Sequence, residues 1–256
     1  MNELPVISVQ NIEKHFHMND GRPLEVLHDV SFDVDQNEIV AVIGHSGCGK
    51  TTLLRIICSL ASADGGFVLL DGSKCTKPSK DILMLFQDFN QLLPWKTVFA
   101  NVVHPLRATG AIKSRGEAQR HAMKRISDVG LTGFEHSYPH QLSGGMKQRA
   151  AVARTLALQP RVLLMDEPFA SLDNITRSTL QLLTRRVCEK YGISALLVTH
   201  SVEEAVVMAD RIVVMDKNPG RIKAIMANTV KDAPMEQRLQ FVAELLRMLA
   251  SQEDVG

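Results

Sequence analysis

The octapeptide Gly44-His45-Ser46-Gly47-Cys48-Gly49-Lys50-Thr51 constrains this chain more than any other stretch of it. It fits the pattern G-x-x-x-x-G-K-[ST]. In that pattern glycines let the backbone curl until successive N–H groups point inward at phosphate oxygens. The flanks complete the unit. Residues 39–43 are an apolar, β-branched run that reads as a strand, and residues 51–60 carry helical periodicity. A strand, a glycine loop and a helix in this order aim the positive helix end at a bound anion. The pattern predicts that the loop N–H groups cradle a polyphosphate. Lys50 then reaches the β and γ phosphates, and Thr51 offers a hydroxyl to Mg²⁺.

Two further motifs extend the site. In Val162-Leu163-Leu164-Met165-Asp166-Glu167 an apolar strand delivers two carboxylates at its C-terminal end. Taken alone this is a weak signal. Downstream of a phosphate loop, Asp166 fits a residue that holds Mg²⁺ through its water shell, and Glu167 one that polarises an attacking water. In Leu142-Ser143-Gly144-Gly145-Met146-Lys147-Gln148-Arg149, small residues expose backbone N–H groups where a helix begins, which makes a second anion site.

Strand patterns at residues 6–9, 30–35, 67–70, 81–86, 162–165, 195–199 and 211–215 alternate with helical ones, notably 113–129 and 143–158. Asn19-Asp20-Gly21-Arg22-Pro23 reads as a turn between the first two strands. The expected fold is α/β: a P-loop NTPase core with a mainly parallel sheet, an N-terminal antiparallel β subdomain and an inserted helical subdomain. The expected boundaries are a nucleotide-binding domain over 1–230, its helical insertion at about 88–160, and a C-terminal amphipathic helix and tail over 231–256. That helix has Phe241, Val242, Leu245, Leu246 and Leu249 as its apolar positions.

Composition removes several function classes. Lys plus Arg number 29 and Asp plus Glu 28, so bulk charge gives no support for nucleic-acid binding. The four cysteines have no CxxC spacing, as expected for reduced thiols. The first ten residues do not read as a signal peptide, and no apolar run reaches membrane-spanning length. Action at a membrane would then require docking to another protein.

The order of these motifs resembles that of ATP-binding cassette (ABC) proteins, over about residues 6–225. Within the resemblance, Gln87 matches the glutamine that contacts the metal and attacking water. Ser171-Leu172-Asp173 matches the D-loop, His200 the switch histidine that contacts the γ-phosphate, and Phe16 the aromatic that stacks on adenine. The resemblance implies ATP and Mg²⁺ as cofactors and a head-to-tail homodimer. Each ATP would lie between one chain's residues 44–52 and the other chain's Ser143, Gly144 and Gly145. The γ-phosphate would close that dimer and hydrolysis reopen it. Gln91-Leu92-Leu93-Pro94-Trp95, Thr97-Val98, Asn101-Val102 and Asn218-Pro219-Gly220-Arg221-Ile222 resemble importers of the nitrate, sulfonate and taurine type. That implies integral-membrane permease subunits, an extracytoplasmic solute-binding protein, and a peripheral position on the cytoplasmic face of the inner membrane. The 92–95 stretch reads either as the border of a groove for a permease helix or as a packed loop with a buried Trp.

Some positions depart from the family pattern. Asn37-Glu38 stands where Gly-Glu is frequent, and Cys58-Ser59-Leu60 where Ala-Gly-Leu is frequent. Cys48, inside the loop, makes alkylation an expected block to ATP binding. The competing class is a soluble ABC-type ATPase in DNA repair, chromosome handling or translation. Such proteins usually carry long coiled-coil inserts or two cassettes, and neither is present here. A regulator without turnover is disfavoured by the presence of both Glu167 and His200.

Overall fold

The computed structural model describes residues 4–18, 21–86, 91–112, 114–170 and 172–250. Two sheets organise it. Strands β1 (Ile7–His17), β2 (Pro23–Val34), β4 (Gly65–Leu70) and β5 (Ser73–Lys74) form an antiparallel sheet in the order β2-β1-β4-β5. The second sheet runs β10-β9-β3-β8-β7-β6. It contains β3 (Ile39–Gly44), β6 (Ile82–Leu85), β7 (Val162–Asp166), β8 (Ser194–Thr199), β9 (Arg211–Met215) and β10 (Ile222–Ala227). All its pairings are parallel except β10 on β9.

Strands β3, β7 and β8 are buried at every residue, as parallel strands covered on both faces must be. Their alternation divides two cores. Ile39, Ala41 and Ile43 join one cluster with Leu163 and Met165. Val40 and Val42 join the other with Val162 and Leu164. The second cluster includes Leu53, Leu54 and Ile57 of α1 (Lys50–Ile57) and the apolar face of the antiparallel sheet. The first takes in the helices between β6 and β7: α2 (Val98–Ala108), α3 (Arg115–Asp128) and α4 (Gly144–Leu156).

Helix α2 and strand β10 were not legible in the sequence. The β-branched valines and Pro105 of α2 argue locally against a helix, yet Val98, Val102, Val103 and Leu106 form a buried face against α3 and α4. Strand β10 alternates only between half-buried and exposed positions, as an edge strand does. Helix α5 (Asn174–Tyr191) precedes β8, and α6 (Val202–Met208) follows it. Helix α7 (Met235–Ala250) buries Val242 and Leu245 and packs on α6 and β9, whereas Leu246 stays exposed. Both departures from the family pattern sit where the backbone needs positive φ: 62° at Asn37 and 57° at Ser59. Asn is among the residues that tolerate this region best.

Candidate active site

The loop after β3 is tied to its own lysine. Lys50 opens α1 and is buried. Its Nζ donates to the carbonyls of Gly44 (2.7 Å) and His45 (2.9 Å), so the loop wraps the ammonium group. Gly47 and Gly49 take φ of 82° and 92°, a region that L side chains avoid. At Gly49 space is also short: a Cβ there would lie 2.6 Å from Leu27 Cδ2 and 3.0 Å from the Val26 carbonyl. Gly220 meets the loop from behind, where a Cβ would come within 2.1 Å of the Cys48 carbonyl. The Gly220 N–H donates to Val26, and its carbonyl accepts from His28. The motif Asn218-Pro219-Gly220-Arg221 thus braces the phosphate loop, a role its sequence alone did not signal.

Cys48 lies beneath this loop, fully buried, with burial pushing its thiol pKa up. Alkylation there requires the loop to open. Cys75 is the accessible cysteine; Cys188 is buried and pushed up to about 12.

A cleft of about 260 Å³ is lined by Val26, Ser46, Gly47, Gly49, Lys50, Thr51, Thr52 and Glu167. At its floor the Thr51 hydroxyl donates to Asp166 Oδ1 at 3.0 Å. Burial at the end of β7 raises the Asp166 pKa above the usual carboxylate range, with that hydrogen bond opposing the shift. A hydroxyl and a carboxylate brought together here are the hard oxygen donors that suit Mg²⁺. Glu167 follows at φ 43°, a conformation that costs a non-glycine residue about 1–2 kcal/mol. Its N–H is tied to the Val198 carbonyl at 2.9 Å. His200, after β8, points Nδ1 at Glu167 Oε2, 3.1 Å away. Strands β7 and β8 therefore deliver the carboxylate and the imidazole side by side.

Two residues the motifs did not single out, Glu204 and Arg177, brace the segment around His200. Glu204 of α6 is buried and accepts from the Thr199 hydroxyl at 2.7 Å; that hydroxyl accepts from the Ser201 N–H at 3.0 Å. Residue 200 is held between them. The second Glu204 oxygen lies 3.7 Å from Arg177 Nε, and Arg177 Nη2 donates to the Leu172 carbonyl. The repeated Glu203-Glu204 was visible in the sequence, but its burial was not.

The remaining residues lie apart from the cleft lining. Ser143 is exposed and caps α4, its Oγ accepting from the Met146 N–H at 3.3 Å. Asp173 is exposed and caps α5, accepting from the N–H groups of Ile175 and Thr176. The Thr176 N–H bond leads in holding its carboxyl below the usual range. These two helix ends pack together: a Cβ at Gly145 would lie 2.4 Å from Thr176 Cγ2. Phe16 is half-exposed on β1 opposite Leu24, with Lys14 Nζ 5.4 Å from its ring centre. Gln87 and Ser171 fall outside the described residues. Trp95 is 70% exposed, which removes the alternative of a buried Trp. Its loop is fastened by buried Asn101, whose side chain bonds the backbone of Leu93, Lys96 and Thr97.

Fold and cleft together define a P-loop nucleoside triphosphatase. A family model described as ABC transporter matches residues 27–170. The chain is 44% identical over 246 residues to an uncharacterised ABC transporter ATP-binding protein of Methanocaldococcus jannaschii, covering 95% of this chain and 91% of that one. It is 36% identical over 250 residues to the aliphatic sulfonates import ATP-binding protein SsuB of Bacillus cereus, covering 98% and 96%. It is 40% identical over 213 residues to the nitrate import ATP-binding protein NrtC of Synechococcus elongatus, covering 83% of this chain and 32% of the longer relative. A solved ATP-binding cassette, dimeric in a post-hydrolysis state with ADP and phosphate, superposes with a TM-score of 0.75 at 29% identity, over 87% of this chain and 98% of that one. The chain belongs to the ABC transporter family and is an ATP-binding cassette ATPase.

Proposed function

We propose that this chain hydrolyses ATP at the cleft behind Gly44–Gly49 to drive import of a small solute through a separate membrane permease. The observation that carries the chemistry is the side-by-side placement of Glu167 and His200, 3.1 Å apart, facing a loop that already grips Lys50. In this reading the N–H groups of residues 44–52 bind the phosphates, and Lys50 neutralises charge on the β and γ groups. Thr51 and Asp166 hold Mg²⁺, with Gln87 as a further ligand, and the metal spreads the charge of the transferring phosphoryl group. Glu167 orients and polarises the attacking water, and His200 contacts the γ-phosphate and fixes Glu167. Phe16 stacks on the base.

The helix ends at Ser143, Gly144, Gly145 and Asp173 complete the site of a second copy of this chain across a two-fold axis. Names of relatives point to solutes of the nitrate, bicarbonate or sulfonate kind. No helix among the described residues is long and apolar enough to cross a membrane. In this reading the chain meets the permease as a peripheral subunit on the cytoplasmic face, with the fastened loop of Trp95 at the contact. A solute-binding protein outside the membrane would deliver the cargo. The test is co-purification of a tagged Glu167→Gln chain from membranes. A polytopic membrane protein in about equimolar amount is the expected result. Recovery of only soluble or nucleic-acid-bound partners would contradict the transporter reading and leave the ATPase intact.

A further inference from the structure

The tail helix ends on the phosphate loop. The His45 ring donates through Nε2 to the Leu249 carbonyl at 3.0 Å, across 204 residues of sequence. A carbonyl can only accept, so the ring proton sits on Nε2. One residue earlier, the Met248 carbonyl accepts from Lys223 Nζ of β10 at 2.6 Å. The last carbonyls of a helix lack partners within it, and side-chain donors stabilise them. Here one of those donors belongs to the loop itself.

His45 faces two ways. Outward, its ring holds α7. Inward, its carbonyl accepts from Lys50 Nζ at 2.9 Å and from the Cys48 N–H at 3.3 Å. The position of its backbone therefore bears on the ammonium group that meets the phosphates. Helix α7 is itself anchored by buried Val242 and Leu245, and it packs on α6, which begins two residues after His200. The helix thus rests at one end on the phosphate loop and along its length on the element that follows the switch histidine.

We propose that His45 is a positioning residue that ties the phosphate loop to the end of α7, so that the tail helix sets how firmly the loop holds nucleotide. The proposal rests on the assignment of this loop as the ATP site. The test is a double-mutant cycle on the purified protein, using His45→Ala and a chain ending at Arg247. That truncation removes the Met248 and Leu249 carbonyls but keeps the Val242 and Leu245 anchors. Each single change raises the KM for ATP by on the order of 3- to 10-fold, with a smaller change in kcat, and the combined variant is no worse than either alone. His45→Gln, which keeps a side-chain donor, recovers most of the binding. The proposal is overturned if the chain ending at Arg247 keeps the wild-type KM, or if the two effects multiply. A wild-type chain that neither binds nor turns over ATP would instead remove the site assignment beneath it.

Discussion

The proposed function joins the cleft at Lys50 and the exposed helix ends at Ser143 and Asp173 in one ATP site, yet the two are built in opposite ways. In the cleft, the functional side chains are tied to one another and to the backbone: Lys50 is wrapped by carbonyls, Thr51 is bonded to Asp166, and Glu167 is held at an unfavourable φ beside His200. At the helix ends, the Ser143 and Asp173 caps bond the first turns of their own helices, and both residues are exposed. One region stores strain and buried charge; the other is relaxed and incomplete. The contrast is what a composite site requires. In the proposed site, the half assigned the chemistry is preorganised by its own core, and the half assigned to close it is left to dock.

That contrast can be broken at several points. Glu167→Gln removes the base without disturbing the loop, so turnover should fall by on the order of 10²–10⁴-fold while ATP binding persists. Steady-state hydrolysis and equilibrium binding on one preparation check this; equal loss of both would place Glu167 in binding instead. Next come the two loop glycines. Gly47 has nothing within 4 Å of a would-be Cβ, so Gly47→Ala should cost only the conformational term, about 1–2 kcal/mol. Gly49→Ala adds the clash with Leu27 and the Val26 carbonyl and should cost distinctly more in thermal unfolding. Equal costs would mean the Leu27 contact yields freely.

Asp166 gives a test of opposite sign. Burial raises its pKa in the folded chain, so the folded state holds that proton more tightly than the unfolded state does. The stabilisation belongs to the protonated form. It is fully present below the ordinary carboxylate range and is lost as pH rises through the folded pKa. At neutral pH, Asp166→Asn should therefore raise Tm of the nucleotide-free chain by about 2–4 °C, roughly 1 kcal/mol for a chain near this size, while abolishing Mg²⁺-dependent turnover. A lower Tm would mean that its hydrogen bond with Thr51 outweighs the burial cost. The smallest effect belongs to the relaxed half: Ser143→Ala removes one long cap bond and should cost about 0.5–1 kcal/mol, measured by chemical denaturation.

What was legible in the sequence follows the same division. The phosphate loop and the strands that feed it could be read because glycine geometry and fully apolar runs leave few other folds for them. Arg177, Glu204, Gly220 and Asn101 could not, because their roles depend on what lies opposite them. Glu204 gains its role from Thr199 across one turn and from Arg177 on another helix. Gly220 matters because the Cys48 carbonyl, 172 positions earlier in the numbering, passes within 2.1 Å of where a Cβ would be. Helix α2 was hidden for the same reason: its valines are good helix residues only once α3 and α4 cover them.

The most direct measurement of the account is complementation between two inactive chains. One carries Lys50→Ala, which disables the cleft; the other carries Ser143→Arg, which blocks the exposed helix end. Mixed head to tail, each heterodimer holds one intact cleft facing one intact helix end. The account predicts that the mixture recovers ATP hydrolysis, up to about a quarter of the wild-type rate for random pairing. A mixture no more active than its components would contradict it, because cleft and helix end would then not be two halves of one site.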